Sequence, residues 1–167
     1  MSKLLPDLYL DSIFDIDFDE LKNRGISTLL FDLDNTIAAY DAPVADERVI
    51  EFFTRLKEMG FFVCLVSNNR NDRVVKYADS LDISFISFAK KPFKAGILKA
   101  CKIFDAKPID CALIGDQVFT DVFGGNRLGM FTILVKPINP PSRFFIKLKR
   151  RLERRVLRKL KDLGEKL

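Results

Sequence analysis

Histidine is absent from the 167 residues of this chain, and tryptophan is absent as well. Without histidine the chain lacks the commonest general base and metal ligand, so any catalysis must use carboxylates, lysine or hydroxyl groups. Only three cysteines occur, each in an apolar or helix-like stretch, which indicates reduced thiols in a cytosolic protein. No apolar run approaches the ~20 residues of a membrane span, and no signal peptide is evident. These absences predict a cytoplasmic protein.

Basic charge is concentrated at the C-terminal end of the chain. Residues 143–167 include 11 basic and 3 acidic residues, a net charge of +8, whereas the rest includes 17 basic and 20 acidic residues, a net charge of −3. Apolar residues recur there every three or four positions: Phe145, Leu148, Leu152, Val156, Leu160 and Leu163. The pattern predicts a basic amphipathic helix over residues 142–167, after a globular domain over residues 1–141.

Three interpretations of this C-terminal helix stay open. In the first, its apolar side packs on the domain or on another subunit of an oligomer. In the second, the helix lies on an anionic membrane surface and makes the protein a peripheral membrane protein. In the third, its basic residues neutralise the phosphates of a nucleic acid such as RNA.

Short apolar runs alternate with helical patterns through the body of the chain. The runs at 28–31, 61–66, 83–88, 110–114 and 131–135 read as buried strands. Helical patterns lie between them at 47–59, 71–81, 93–104 and 120–128. Strands that alternate with helices form right-handed βαβ units. The sequence therefore predicts a three-layer α/β, Rossmann-like fold with a parallel sheet of about five strands.

Polar residues follow four of the predicted strands. They are Asp32 and Asp34 after the first strand, Ser67 and Asn68 after the second, Lys91 beyond the third, and Asp116 and Asp121 after the fourth. In open parallel sheets ligands bind at the carboxyl ends of the strands, so we expect these side chains to meet there. Asp32 and Asp34 are like charges at alternate positions, and such a pair favours a cation between the carboxylates.

This ordered set of motifs resembles the haloacid dehalogenase (HAD) superfamily of phosphohydrolases. The matching segments are Asp32-Leu33-Asp34-Asn35-Thr36, Ser67, Lys91-Pro92 and the stretch from Gly115 to Asp121. The resemblance covers residues from about 28 to 135. It implies a sheet in which the five predicted strands are ordered 5-4-1-2-3, a Mg²⁺ ion and an aspartyl-phosphate intermediate.

The residue types fit that chemistry. Asp32, directly after the strand, is the expected nucleophile, and Asp34 is placed to protonate the leaving oxygen and later to accept a proton from water. We expect Mg²⁺ to be bound by Asp32, by Asp116 and by the backbone carbonyl of Asp34. Asp121 is expected to bind a metal-bound water or to hold Asp116 in place.

Four residues are candidates for binding the phosphoryl oxygens. They are Thr36, Ser67, Asn68 and Lys91. A lysine is needed for the charge that spreads over the equatorial oxygens in the transition state. Lys90 and Lys94 are alternatives for that role. Lys91 is preferred because the residue before a proline is held extended and is therefore directed reproducibly.

The intervals between the motifs leave no room for a cap domain. About 30 residues separate Asp34 from Ser67, and one helix with one strand uses most of them. The interval from Ser67 to Lys91 is filled in the same way. An uncapped site is expected to be open, which suits a large substrate, a substrate held in a membrane, or closure by another subunit.

A narrower resemblance concerns the YqeG family of uncapped subclass IIIA HAD phosphatases. The residues that carry it are Leu5-Pro6-Asp7-Leu8-Tyr9, Ser12-Ile13-Phe14-Asp15-Ile16-Asp17 and Phe31-Asp32-Leu33-Asp34-Asn35-Thr36-Ile37. The family is related to the mitochondrial and plastid phosphatidylglycerophosphatases, so the resemblance implies a phosphatase that acts on a lipid phosphate. The alternatives are a phosphatase for a metabolite or nucleic acid, and a non-catalytic HAD-fold binding or assembly protein.

Overall fold

The structure is a computed structural model that describes residues 3–69 and 72–139. Its strands are β1 (Leu8–Leu10), β2 (Thr28–Phe31), β3 (Phe62–Val66), β4 (Ser84–Ile86), β5 (Cys111–Gly115) and β6 (Phe131–Val135). Its α-helices are α1 (Phe18–Asn23), α2 (Glu47–Glu58), α3 (Asp72–Leu81), α4 (Lys94–Ile103) and α5 (Phe123–Asn126). The predicted C-terminal helix lies outside the described residues, and so does Asn71, the first residue of the helix predicted over 71–81.

All six strands form one parallel sheet in the order β1-β6-β5-β2-β3-β4. The five predicted strands therefore have the expected order, with the first of them, β2, at the centre. The predicted number of about five is corrected to six, because β1 adds an edge strand that pairs with β6. A strand of three residues is too short for its side-chain period to be recognised in a sequence.

The sheet is covered on both faces, which confirms the three-layer architecture. All four residues of β2 are buried, as a strand with helices on both sides requires. Leu29 and Phe31 contribute to the core under α2 and α3, and Leu30 contributes to the core under α4. Phe31 packs on Phe53 of α2 with ring centroids 5.1 Å apart.

The connections that follow β2 and β3 are short, and α2 begins and ends close to the bounds predicted for it, 47–59. Asp46 caps α2, because its Oδ1 accepts the Val49 N–H at 2.9 Å. Gly60, at a φ of 85°, ends this helix in the left-handed conformation that glycine adopts readily. Only α2 lies between β2 and β3, and only α3 lies between β3 and β4. Within the described residues there is therefore no cap domain.

The helix predicted over 120–128 differs most from its prediction. A single π-helical turn, Val118–Val122, leads directly into the four-residue helix α5. Gly124 and Gly125 weaken helical propensity here, and they also permit close packing. A Cβ on Gly125 would lie 2.6 Å from Thr132 Cγ2 on β6. The structure of this segment is therefore determined by close packing against the sheet and not by its helical periodicity.

Among residues 3–69 and 72–139, no helix combines the length and the apolar character that a membrane crossing requires.

Candidate active site

The carboxyl ends of β2, β3 and β5 meet around a small cavity of about 60 Å³. Its lining residues are Asp32, Asp34, Tyr40, Asn68, Asn69, Lys91, Gln117 and Thr120. Four of the residues that the sequence predicts at strand ends, Asp32, Asp34, Asn68 and Lys91, thus line one cavity. The cavity is much smaller than the roughly 300–1,000 Å³ of pockets that enclose whole small-molecule ligands. A group about as large as a phosphoryl group can enter it, and the remainder of a larger substrate would stay outside.

Lys91 forms the centre of the charged network. Its Nζ lies 2.6 Å from Asp32 Oδ1 and 2.7 Å from Asp121 Oδ1, and its side chain is only 1% exposed. The side-chain amide of Asn68 holds the Lys91 backbone from both sides, since it donates to the Lys91 carbonyl at 3.0 Å and accepts the Lys91 N–H at 2.6 Å. Lys90 and Lys94, the alternatives for the phosphate-binding lysine, are exposed.

Asp32, Asp116 and Asp121 form a group that could hold a metal ion. One carboxylate oxygen from each lies within 4.8 Å of the others, and all three residues are buried. The donor set consists of oxygen only, which suits Mg²⁺, and three buried carboxylates beside a single lysine leave negative charge for a cation to balance. The Asp34 carboxylate lies outside this group, so its predicted contribution through the backbone carbonyl stays a prediction.

Burial raises the pKa of Asp32 from 3.8 to about 8 in the metal-free protein. Lys91 opposes that shift, whereas the negative charges of Asp121 and Asp116 add to it. Burial and the ion pair with Lys91 at 2.6 Å thus shift the pKa of this carboxyl group in opposite directions, and burial has the larger effect. A divalent cation among the three carboxylates would decide between them, because it favours the ionised form that a nucleophile requires.

Lys91 keeps its positive charge despite its burial. Burial alone would lower the pKa of this ammonium, but the carboxylates of Asp121 and Asp32 raise it by more, so its pKa lies above the usual lysine value. A buried lysine that stays charged provides a fixed positive group beside the expected nucleophile. Such a group stabilises negative charge on a phosphoryl group without reorganisation at the moment of reaction.

Asp121 is positioned by its own turn and by a glycine. Its Oδ2 accepts the Gln117 N–H at 3.1 Å, so the carboxylate closes the turn that follows β5. A Cβ on Gly115 would lie 2.3 Å from Asp121 Cγ and from Asp121 Oδ2. Glycine is therefore required at the end of β5 for this carboxylate to approach the strand.

Two of the hydroxyl groups predicted to bind phosphate have protein partners, and their contact with phosphate stays a prediction. The Thr36 hydroxyl donates to Asp32 Oδ2 at 3.3 Å and so contacts the expected nucleophile. The buried Ser67 hydroxyl accepts the Asn69 N–H at 3.1 Å, which leaves its own hydrogen to donate elsewhere. Asn68 uses its side chain on Lys91, so its predicted contact with phosphate concerns its backbone N–H.

Arg73, in the first turn of α3, was missed by the sequence reasoning. Its Nη1 pairs with Asp34 Oδ1, its Nε donates to the Ala42 carbonyl at 2.6 Å, and its Nη2 donates to the Ala39 carbonyl at 2.6 Å. Asn69 Nδ2 donates to the other oxygen of Asp34 at 2.5 Å. Both oxygens of the expected acid–base residue are thereby fixed, and one guanidinium joins that residue to the loop that contains Tyr40.

One signal in the sequence could have identified Arg73. A basic residue in the first turn of a helix is disfavoured by the helix dipole, so its presence there calls for an acidic partner. Asp34 is 39 positions earlier in the chain, and the parallel sheet brings the two together.

Comparison with known proteins identifies the family. Residues 4–129 match the model of the haloacid dehalogenase-like hydrolases. A probable phosphatase, YqeG of Bacillus subtilis, is 42% identical over 160 residues, which are 96% of this chain and 93% of that protein. The chloroplastic and mitochondrial phosphatidylglycerophosphate phosphatase 1 of Arabidopsis thaliana is 27% identical over 168 residues, which span 93% of this chain but 48% of the plant protein.

A solved structure agrees with the fold. The HAD phosphatase of Thermococcus onnurineus superposes with a TM-score of 0.54 over 71% of this chain and 90% of its own, at 14% identity. The match to the family model over most of the chain, together with the bacterial relative, shows that this chain is a phosphatase of the haloacid dehalogenase-like hydrolase family, in the group that contains YqeG.

Proposed function

We propose that this phosphatase hydrolyses a phosphate monoester through a covalent phospho-Asp32 intermediate, with Mg²⁺ as its cofactor. The observation that carries the proposal is the position of Asp32. It lies among Lys91, Asp116 and Asp121, and the hydrogen-bonded carboxylate of Asp34 lines the same cavity. This arrangement supplies a nucleophile, a positive group, a set of metal ligands and an acid–base group.

The reaction has two steps. In the first, an oxygen of Asp32 forms a bond to phosphorus, the bond from phosphorus to the leaving oxygen breaks, and Asp34 gives that oxygen a proton. In the second, a water molecule attacks the phosphorus of phospho-Asp32 and Asp34 accepts its proton. The bond from phosphorus to the Asp32 oxygen breaks, which restores the carboxylate and releases inorganic phosphate. Lys91, which lines the cavity, and the buried Ser67 hydroxyl would bind the phosphoryl oxygens in this scheme.

Asp32, Asp116 and Asp121 would hold Mg²⁺ in this scheme. When bound, the cation neutralises charge on the phosphate and so permits attack by an anionic carboxylate. The chain's part is to supply buried oxygen ligands, with Lys91 and Gly115 fixing where Asp121 lies.

We further propose that the substrate is a phosphorylated lipid with a headgroup of the phosphatidylglycerophosphate type. Two observations support this substrate. The Arabidopsis relative, 27% identical, is named for that activity. The cavity of about 60 Å³ admits a phosphoryl group and leaves the rest of a large substrate outside. Rates of hydrolysis on a panel of lipid phosphates, sugar phosphates and 3′-phosphorylated nucleic acids test this proposal, which expects the highest rate on the lipid phosphate.

The covalent mechanism is tested with p-nitrophenyl phosphate. We expect Asp32→Asn to abolish hydrolysis and chelation of divalent cations to do the same. Asp82→Asn is the matched control, because Asp82 is exposed and contacts Lys57 rather than the site. Equal rates for Asp32→Asn and wild type would exclude the phospho-Asp32 intermediate.

A further inference from the structure

Exposed aromatic and basic residues flank the buried Lys91. Phe93 is 66% exposed and Phe88 is 38% exposed, although large aromatic side chains are usually removed from water. Lys90 and Lys94 are exposed as well. Residues 88–94, here called the Lys91 turn, thus combine one inward-pointing lysine with two aromatic and two basic side chains at the surface.

The backbone of the Lys91 turn fixes this arrangement. The Phe93 N–H donates to the Lys90 carbonyl at 2.9 Å, which brings Lys90 and Phe93 side by side at the two ends of a four-residue turn. Lys90 Nζ lies 4.7 Å from the centroid of the Phe88 ring. Phe88 and Lys90 have φ values of 50° and 54°, in the left-handed region that bulky L-residues rarely adopt. Such backbone is retained where the surrounding structure requires it, often at functional sites.

Two other segments add exposed apolar side chains at the end of the sheet where the carboxyl ends of the strands lie. Tyr40, 53% exposed, lines the active-site cavity, and Ile138, 49% exposed, follows β6 and donates its N–H to the Asn35 carbonyl at 3.0 Å. Together with Phe88 and Phe93 they form an apolar rim, defined by these four residues, around the carboxyl ends of the strands.

We propose that the apolar rim, together with Lys90 and Lys94, contacts an anionic lipid bilayer and presents the active site to phosphorylated headgroups in it. This inference rests on the proposed lipid substrate and adds the surface that meets the lipid. Aromatic side chains are suited to the bilayer interface, where an apolar body and a polar surrounding coexist. The ammonium groups of Lys90 and Lys94 complement anionic headgroups. The small open cavity requires the phosphate to be brought to its mouth while the acyl chains stay in the bilayer.

The test compares two substrates and two double variants of the full-length chain. The substrates are phosphatidylglycerophosphate in phosphatidylcholine–phosphatidylglycerol vesicles and water-soluble p-nitrophenyl phosphate. The rim variant is Phe93→Ser/Ile138→Ser, which spares the residues of the cavity. The control variant is Phe62→Ser/Ile109→Ser, since Phe62 and Ile109 are 51% and 69% exposed at the amino ends of β3 and β5.

We expect the rim variant to lose about tenfold or more in kcat/KM on vesicles, the scale of removing one large apolar contact, and to keep its rate on p-nitrophenyl phosphate. The control variant should match wild type on both substrates. Equal losses of the rim variant on both substrates, or no loss on either, would overturn the inference. A change in oligomer mass with unchanged vesicle kinetics would assign the rim to contacts between copies of the chain, which also overturns it. Wild-type hydrolysis of p-nitrophenyl phosphate but not of vesicle lipid would instead refute the proposed lipid substrate, and hydrolysis of neither would refute the proposed phosphatase mechanism.

Discussion

Arg73→Gln should weaken acid catalysis while leaving the nucleophile in place. The side chain of Arg73 is 14% exposed and that of Asp34 is 8% exposed, so their ion pair is largely shielded from water. Arg73 contacts Asp34 and two loop carbonyls, and it makes none of the contacts recorded for Asp32. Its loss should therefore affect the leaving-group side of the reaction.

The size of the effect follows from the contacts that remain. A hydrogen bond to a charged group contributes about 1.5–3 kcal/mol, and Asn69 still holds the second oxygen of Asp34 in the variant. We therefore take the lower end, about 1.5 kcal/mol, which corresponds to about tenfold in kcat/KM. This is part of the roughly 10²–10⁴-fold that a general acid contributes, because Asp34 itself is retained.

The assay measures kcat/KM for phosphate esters whose leaving alcohols differ in pKa. The ratio kcat/KM reports the first step alone, in which Asp34 protonates the leaving oxygen, and not the later attack of water. The loss in Arg73→Gln should deepen as the leaving alcohol becomes more basic, and it should be smallest for p-nitrophenyl phosphate, whose leaving group needs least protonation. Arg73→Lys, which keeps the charge but not the three-way contact, should fall between wild type and Arg73→Gln.

Arg24→Gln is the matched control. Arg24 forms an exposed ion pair with Glu20 on α1 and makes no recorded contact with the site, so its removal should leave every ester unaffected. An equal loss of Arg73→Gln on all esters would mean that Arg73 acts through the fold or through the phosphate. No loss on any ester would mean that Asp34 needs no orientation by Arg73. Either result refutes the reasoning.

Three further predictions concern the metal group and the core. Gly115→Ala should abolish activity and weaken Mg²⁺ binding measured by calorimetry, because its Cβ would displace the Asp121 carboxylate; retained Mg²⁺ affinity would contradict this. Because the pKa of Asp32 is raised in the metal-free fold, this group contributes stability that is fully present below pH 3.8, its ordinary pKa. That contribution is lost as the pH rises from 3.8 through about 8, so the thermal unfolding midpoint should fall over that window. Asp32→Asn should flatten this slope, and saturating Mg²⁺ should reduce it; an unchanged slope in Asp32→Asn would assign it to other groups. Cys64 is buried and burial raises the pKa of its thiol to about 12, so in the native protein this cysteine should react with a thiol reagent only at the rate of unfolding.

The fold was predictable because its determinants are local. The run over β2 is buried at all four positions and apolar at the last three, and Asp46 and Gly60 mark where α2 begins and ends. Each signal is contained within a few neighbouring residues, so it can be read without knowledge of the tertiary structure. The extended segment Leu8–Leu10 could be read from the sequence, but its place in the sheet as β1 and the structure of the segment after β5 could not. Pairing with β6 and packing on Thr132 decide them, and both are tertiary contacts.

The positions of the site residues were predictable for the same reason, but the support of Asp34 was not. Asp32, Lys91 and Asp116 each follow a strand directly or by a short turn, and parallel strands bring their carboxyl ends together. Arg73 lies in the first turn of a helix, where its charge indicates an acidic partner but does not identify that partner. Its partners are an acidic residue 39 positions away and two carbonyl groups of a loop, which only the tertiary structure brings together.

Asp32 and Asp34, the two aspartates that follow β2, are held by different partners, and these partners offset the repulsion between their carboxylates. Two carboxylates two residues apart repel each other and would otherwise share a proton. Lys91 pairs with Asp32, which in the proposed mechanism attacks phosphorus as an ionised carboxylate. Arg73 and Asn69 hold Asp34, which in that mechanism exchanges a proton with the leaving oxygen and later with water. Among residues 3–69 and 72–139, the side-chain partners of Lys91 and Arg73 include no common residue, so the two carboxylates have separate positive partners. One short stretch of chain can therefore supply both the nucleophile and the acid–base group, since the positive groups that distinguish them come from two other parts of the fold.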